Sequence, residues 1–117
     1  MDQRRDLRVK DETTLSITYS SPAGERKNLQ VLSKDISTGG LQVRTPDFVA
    51  VGTRLNLEMV LRSPQRLVEL LGVVRWIREA SGVAMYEVGI QFENAPADAL
   101  AALAQYVTDK SSARSKT

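Results

Sequence analysis

Two short stretches of this 117-residue chain hold side chains whose types and spacing could do chemistry. The first, Arg4-Arg5-Asp6-Leu7-Arg8, sets Arg4 and Arg8 four residues apart, just ahead of the first strand-like segment. Guanidinium groups make forked, charge-assisted hydrogen bonds to phosphate and to the O6/N7 edge of guanine, and they stack on base faces. The second, Asp35-Ile36-Ser37-Thr38-Gly39-Gly40, alternates a carboxylate with a hydroxyl, which point the same way in extended backbone. The glycines that follow let a chain approach a ligand closely. A carboxylate accepts hydrogen bonds from the N1–H and N2–H₂ edge of guanine, so the two stretches together match both polarities of a guanine nucleotide. Taken singly, each has a plainer reading. Asp, Ser and Gly also build ordinary strand-ending turns, and a terminal cluster of arginines is often just a solvated arm.

Composition closes off most other chemistry. The chain has no Cys and no His, which excludes a Ser-His-Asp triad, thiolate nucleophiles and Cys-ligated zinc or iron–sulfur centres. Glu58, Glu69, Glu79, Glu87 and Glu93 are scattered, with no spacing that suggests a catalytic pair or a metal set. They read as solvated strand or turn positions. No catalytic residue, metal or cofactor is therefore expected, and binding is favoured over catalysis. The 16 Lys and Arg exceed the 14 Asp and Glu by two, and residues 1–10 account for that excess with Arg4, Arg5, Arg8 and Lys10 against Asp2 and Asp6. A chain otherwise neutral lacks the basic surface of a duplex-DNA binder. With aromatics at only 5%, a stacking groove for single-stranded nucleic acid is a weak rival. No run approaches the roughly 18 apolar residues of a membrane span, and the N-terminus lacks the apolar core of a signal peptide. A cytoplasmic protein with no membrane insertion is expected.

The elements that must position these groups are mostly strands. Residues 14–19 alternate polar with apolar and β-branched side chains, and Ser21-Pro22-Ala23-Gly24 is a turn signal. Strands are expected over 28–36, 41–44, 54–61, 67–78 and 83–93, with a loop over 45–53 marked by Pro46 and Gly52. Residues 54–61 alternate most cleanly, with Leu55, Leu57, Met59 and Leu61 on one side. Gly72 and Gly89 read as bulges or bends, and Trp76, the sole tryptophan, as a core or wall residue. One helix ends the chain, with Asn94 as its N-cap, Pro96 in the first turn, and Asp98 complementing the helix dipole. Leu100, Leu103 and Val107, with Tyr106 beside them, form its apolar face. Six or seven strands on short turns, plus one helix, predict an antiparallel barrel or sandwich.

With those elements in place, the chain resembles the PilZ domain, the bacterial receptor for cyclic di-GMP. The RxxxR pair (Arg4, Arg8) is followed 27 residues later by DxSxxG (Asp35, Ser37, Gly40). Leu41-Gln42-Val43, Gly72-Val73-Val74-Arg75-Trp76 and Gly89-Ile90-Gln91-Phe92 are similar to that family's strand patterns, and the likeness covers about residues 3–108. The resemblance implies an all-β fold, a six-stranded antiparallel β-barrel with a C-terminal helix. It implies that Arg4 and Arg8 clasp phosphates and guanine, that Asp35 and Ser37 bind a guanine base, and that Gly40 permits the turn, with Arg5 and Gly39 assisting. Many members carry a further Arg before RxxxR, where this chain has Gln3, so one ligand and a stacked pair both stay open. Three parts are expected: a basic arm over 1–10, a barrel with its helix over 11–109, and a disordered tail over 110–117. A sensor of this kind would order its arm on the ligand and signal through a protein partner. The rival within the family is a ligand-independent interaction module.

Overall fold

The alternation of apolar side chains closes into a ring. The computed structural model describes residues 9–10, 13–62, 65–80, 82 and 84–115. They form β1 (Val9–Lys10), β2 (Thr14–Ser20), β3 (Arg26–Ile36), β4 (Gly40–Thr45), β5 (Arg54–Arg62), β6 (Gln65–Glu79), β7 (Tyr86–Glu93) and α1 (Ala97–Ser115). All strand pairs are antiparallel, in the order β3-β2-β5-β6-β7-β4, and β4 returns to β3 to close a six-stranded barrel. β1 adds a short ladder to the end of β3, with Val9 opposite Ile36 and Lys10 opposite Asp35. The fold is the all-β barrel with one C-terminal helix that the sequence implied. Arg4, Arg5 and Arg8, and most of the 1–10 arm with them, lie outside the described residues.

Every strand of the ring sends side chains inward. Leu15, Leu57, Met59, Leu41, Val43, Val74 and Val88 are fully buried there, as is Ile36 at the end of β3. β6 runs through Gly72 without a break; a Cβ at Gly72 would meet Ile90 Cγ2 at 2.6 Å, so this glycine makes room in the core rather than bending the strand. The last strand begins at Tyr86, later than the expected 83.

The helix departs from its expected start. The Pro96 carbonyl accepts from the Leu100 amide at 2.9 Å, which puts Pro96 in the capping place assigned to Asn94. Asn94 instead takes a left-handed conformation, φ +47°, where the chain leaves β7. Ala99, Leu103, Tyr106 and Val107 are buried, whereas Leu100 is 38% exposed, so the buried stripe starts one residue earlier than expected. The helix continues to Ser115, past the expected boundary at residue 109. Among the described residues no helix is long and apolar enough to cross a membrane.

Candidate functional site

Two interruptions of the strand register decide which side chains face outward around the DxSxxG segment. On β3, Ser33 pairs with Val43 but Asp35 pairs with Gln42, so Lys34 is an extra, bulged residue. On β6, Val74 pairs with Ile90 but Trp76 pairs with Gly89, so Arg75 is extra in the same way. Strand side chains alternate, and a shift of one residue moves a side chain to the other face. Without the bulges, Asp35 would follow buried Ser33 inward, and Trp76 would follow buried Val74. With them, Asp35, Gln42, Gly89 and Trp76 form one row of cross-strand partners over β3, β4, β7 and β6.

Asp35 stands half-buried in that row, and its Oδ2 accepts from Gln42 Nε2 at 3.0 Å. Ser37 is 0% exposed and lies just past the end of β3. Its Oγ accepts from the Gly39 and Gly40 amides at 3.1 and 3.2 Å and lies 3.2 Å from the Gly40 carbonyl, to which it can donate. Those three bonds match the donor and two lone pairs of a hydroxyl. The hydroxyl thus shapes the turn between β3 and β4, the plainer of its two readings. Gly40 has no positive φ; what its missing side chain permits is the approach of the Ile90 carbonyl on β7, into which a Cβ would run. The Gly39 carbonyl accepts from the Phe92 amide at 2.9 Å and fastens the turn to β7.

Next to the turn lies a groove of about 290 Å³, with Gly39, Gly40 and Gly89 among its lining and Gln42, Arg75, Trp76 and Gln91 around it. Trp76 is on the outer wall, 37% exposed, and its indole occupies the space where a Gly89 Cβ would stand. Gly89 therefore makes room for the tryptophan, and it pairs at the β6 bulge, an irregularity of the kind expected at this glycine. Arg75 Nε donates to Gln91 Oε1 at 2.6 Å across the same opening. Four side chains here, Gln42, Arg75, Trp76 and Gln91, were not singled out as ligand contacts by sequence. Their signal is the pairing register, which places them beside Asp35 and Gly40. A larger cleft of about 510 Å³ between Thr18, Arg26 and Glu93 touches none of the candidate residues.

Beside this row sits a charged cluster. Glu87, read from sequence as a solvated position, has a side chain only 8% exposed. Its Oε2 accepts from Lys34 Nζ at 2.9 Å and lies 3.4 Å from an Arg44 terminal nitrogen. Its Oε1 accepts from Arg78 Nε at 2.9 Å and from a terminal Arg78 nitrogen at 2.8 Å. The hydrogen bond from Lys34, then that from Arg78, hold its carboxyl down at about 2 against an ordinary 4.5, although burial pushes the other way. Arg78 also lies over the Trp76 ring at 5.0 Å. Among the described residues no group of three or more Asp and Glu could hold a metal ion.

A closed six-stranded barrel with two bulges thus carries a glycine-floored groove beside an Asp-x-Ser turn. The model of the PilZ domain matches residues 2–109, and the chain belongs to that family. The structure is similar to the inhibitor of motility MotI/DgrA of Bacillus subtilis, with a TM-score of 0.79 at 23% identity, covering 95% of this chain and 52% of that one. It is similar to the MrkH–c-di-GMP complex of K. pneumonia, with a TM-score of 0.74 at 22% identity, covering 100% and 57%. The PilZ domain of YcgR from Escherichia coli with c-di-GMP gives a TM-score of 0.72 at 16% identity, covering 98% and 97%. The chain thus spans about half of the first two proteins and nearly all of the third. No curated protein matches it.

Proposed function

We propose that this chain is a cyclic di-GMP receptor domain that binds its ligand across the β3–β4 turn and the adjoining groove. The observation that carries the reading is the ladder of β1 on β3. It pairs Lys10 with Asp35 and Val9 with Ile36, and Arg8 is next to Val9 in the chain. The second half of RxxxR is therefore tethered one peptide bond from a residue paired inside DxSxxG. Family membership supports the same reading, and so do the c-di-GMP complexes of MrkH and YcgR.

In this reading Arg4 and Arg8 clasp phosphates and guanine, with Arg5 assisting. Asp35 takes the guanine N1–H and N2–H₂ edge, exchanging its bond from Gln42. Ser37 reaches the base by giving up its bond to the Gly40 carbonyl; otherwise it acts through the turn it shapes. Gly39 and Gly40 keep the turn's surface free of side chains. Ligand changes the conformation of the arm ahead of β1, and charge-assisted contacts offset the conformational entropy this costs. A protein partner then reads the difference between the free and bound surfaces.

The test is calorimetry with cyclic di-GMP, with GTP and a single-stranded oligonucleotide as controls. Arg8→Ala is expected to weaken binding by about ten-fold or more, since a hydrogen bond to a charged group contributes roughly 1.5–3 kcal/mol. Arg8→Lys should not restore it, because an ammonium lacks the forked geometry. Wild-type affinity in a folded Arg8→Ala protein would refute the assignment. The engaged hydroxyl of Ser37 favours the rival, a ligand-independent interaction module, and an absence of heat with the wild-type protein would support it.

A further inference from the structure

The charged cluster reaches the groove wall where Arg78 lies over Trp76, and it reaches the β3 bulge through Lys34, the residue next to Asp35. We infer that Glu87 is a positioning residue for the ligand site, holding the two bulged strand segments so that Asp35 and Trp76 stand on the same outer row. The inference deepens the cyclic di-GMP reading and rests on it for its affinity readout.

Glu87 lies on β7, paired with Arg44 of β4 on one side and with Arg78 of β6 on the other. Its third partner, Lys34, comes from β3, which does not border β7 in the ring. Lys34 is the bulged residue itself. A bulge leaves its extra residue outside the regular ladder, so a side-chain tether is what can fix its rotation. The Lys34 ammonium bound to Glu87 at 2.9 Å supplies that tether. The next residue, Asp35, takes its outward direction from the same local twist.

The second arm runs to the other wall. Arg78 is forked onto Glu87 Oε1 through Nε and a terminal nitrogen, which fixes the guanidinium plane as a single contact would not. That guanidinium stands over the Trp76 indole, which rests on Gly89. One carboxylate thus joins, through two cations, the residue beside Asp35 and the ring that walls the groove.

Trp76 is the sole tryptophan of the chain, so its fluorescence reports this wall without labelling. The experiment compares Glu87→Gln, Lys34→Met and Arg78→Met with the wild type, by Trp76 emission in the free protein and by calorimetry with cyclic di-GMP. Glu87→Gln should shift the emission and weaken binding about three- to ten-fold, within the lower part of the coupling seen inside one hydrogen-bond network. Lys34→Met should weaken binding with emission unchanged, and Arg78→Met should shift the emission. Leu57→Ala, a core change at a residue that does not line the groove, controls for stability alone and should move neither readout. Wild-type affinity and emission in Glu87→Gln would overturn the inference, and so would equal losses in Leu57→Ala. If the wild type gives no heat with cyclic di-GMP, the reading of the site fails separately. The positioning claim is then decided by emission, and an unshifted Glu87→Gln spectrum overturns it.

Discussion

The half of the barrel built by β2 and β5 is regular, and the half built by β4 and β7 is not. β2 pairs with β3 over all seven of its residues, and β5 with β6 over all nine, without a shift. The same two long strands, β3 and β6, each acquire a bulge where they turn to β4 and β7. On the regular side, outward residues make plain cross-strand polar pairs, such as Asn28 Nδ2 to Thr18 Oγ1 at 2.8 Å and Gln30 to Ser16. On the irregular side, three glycines, a tryptophan, a bonded carboxylate and a charged cluster share one surface. A regular ladder spends its alternation on separating core from solvent. A bulge breaks the alternation at one point and puts a chosen side chain outside, at the cost of one unpaired step.

If this division is real, the two halves should fail in different ways. The largest effect is expected from Leu57→Ala, on the inward side of the regular half. Truncating a fully buried Leu removes about 2–5 kcal/mol of stability. Urea unfolding should show that loss while calorimetry shows unchanged cyclic di-GMP affinity in the folded protein. A comparable fall in affinity would mean that the halves are not separable.

Gly89→Ala should do the reverse. The added Cβ would overlap the Trp76 indole, which lies at the surface and can swing toward water. Emission from Trp76 should move to longer wavelength, and affinity should fall about ten-fold, roughly 1.4 kcal/mol. Its urea midpoint should change less than that of Leu57→Ala. An unmoved spectrum would show that the indole does not rest on Gly89.

A smaller effect is expected from acid, because Lys34, Arg44 and Arg78 are partly exposed and water screens them. The Glu87 carboxyl is held down at about 2 in the folded chain against 4.5 ordinarily. The unfolded chain therefore takes up this proton first, so the stabilisation is full above about pH 4.5 and lost as pH falls toward 2. Urea midpoints of the wild type and Glu87→Gln should differ at pH 6 and converge across that window. A constant difference would mean that Glu87 does not titrate this way.

Much of the regular half was legible in sequence. Leu55, Leu57, Met59 and Leu61 alternate without interruption, so the β5 strand and its inward face follow from period two alone. The bulges were not legible, because a bulge is a mismatch between two strands, and neither β3 nor β4 carries it alone. Gly72, the better sequence candidate for an irregularity, sits in an unbroken strand, while the extra residue of β6 is Arg75. Glu87 was misread for a related reason. Its Lys34 and Arg44 partners are 53 and 43 residues away in the chain, and a lone glutamate in a strand has no local mark of burial. Asn94 was misplaced because a helix start depends on which carbonyl accepts the first amide, and Pro96 does so here.

By itself, the sequence determined a strand-rich barrel or sandwich, the C-terminal helix, the exclusion of His and Cys chemistry, and, through RxxxR and DxSxxG at their spacing, the family resemblance that implied the barrel. These rest on local properties: alternation, residue type and distance along the chain. Tertiary structure alone decided that Asp35 and Trp76 share a row, that Ser37 builds the turn, and that Glu87 joins three strands. Such relations belong to strand register, and register is settled by the closing of the ring, where a shift of one residue changes which side chains meet.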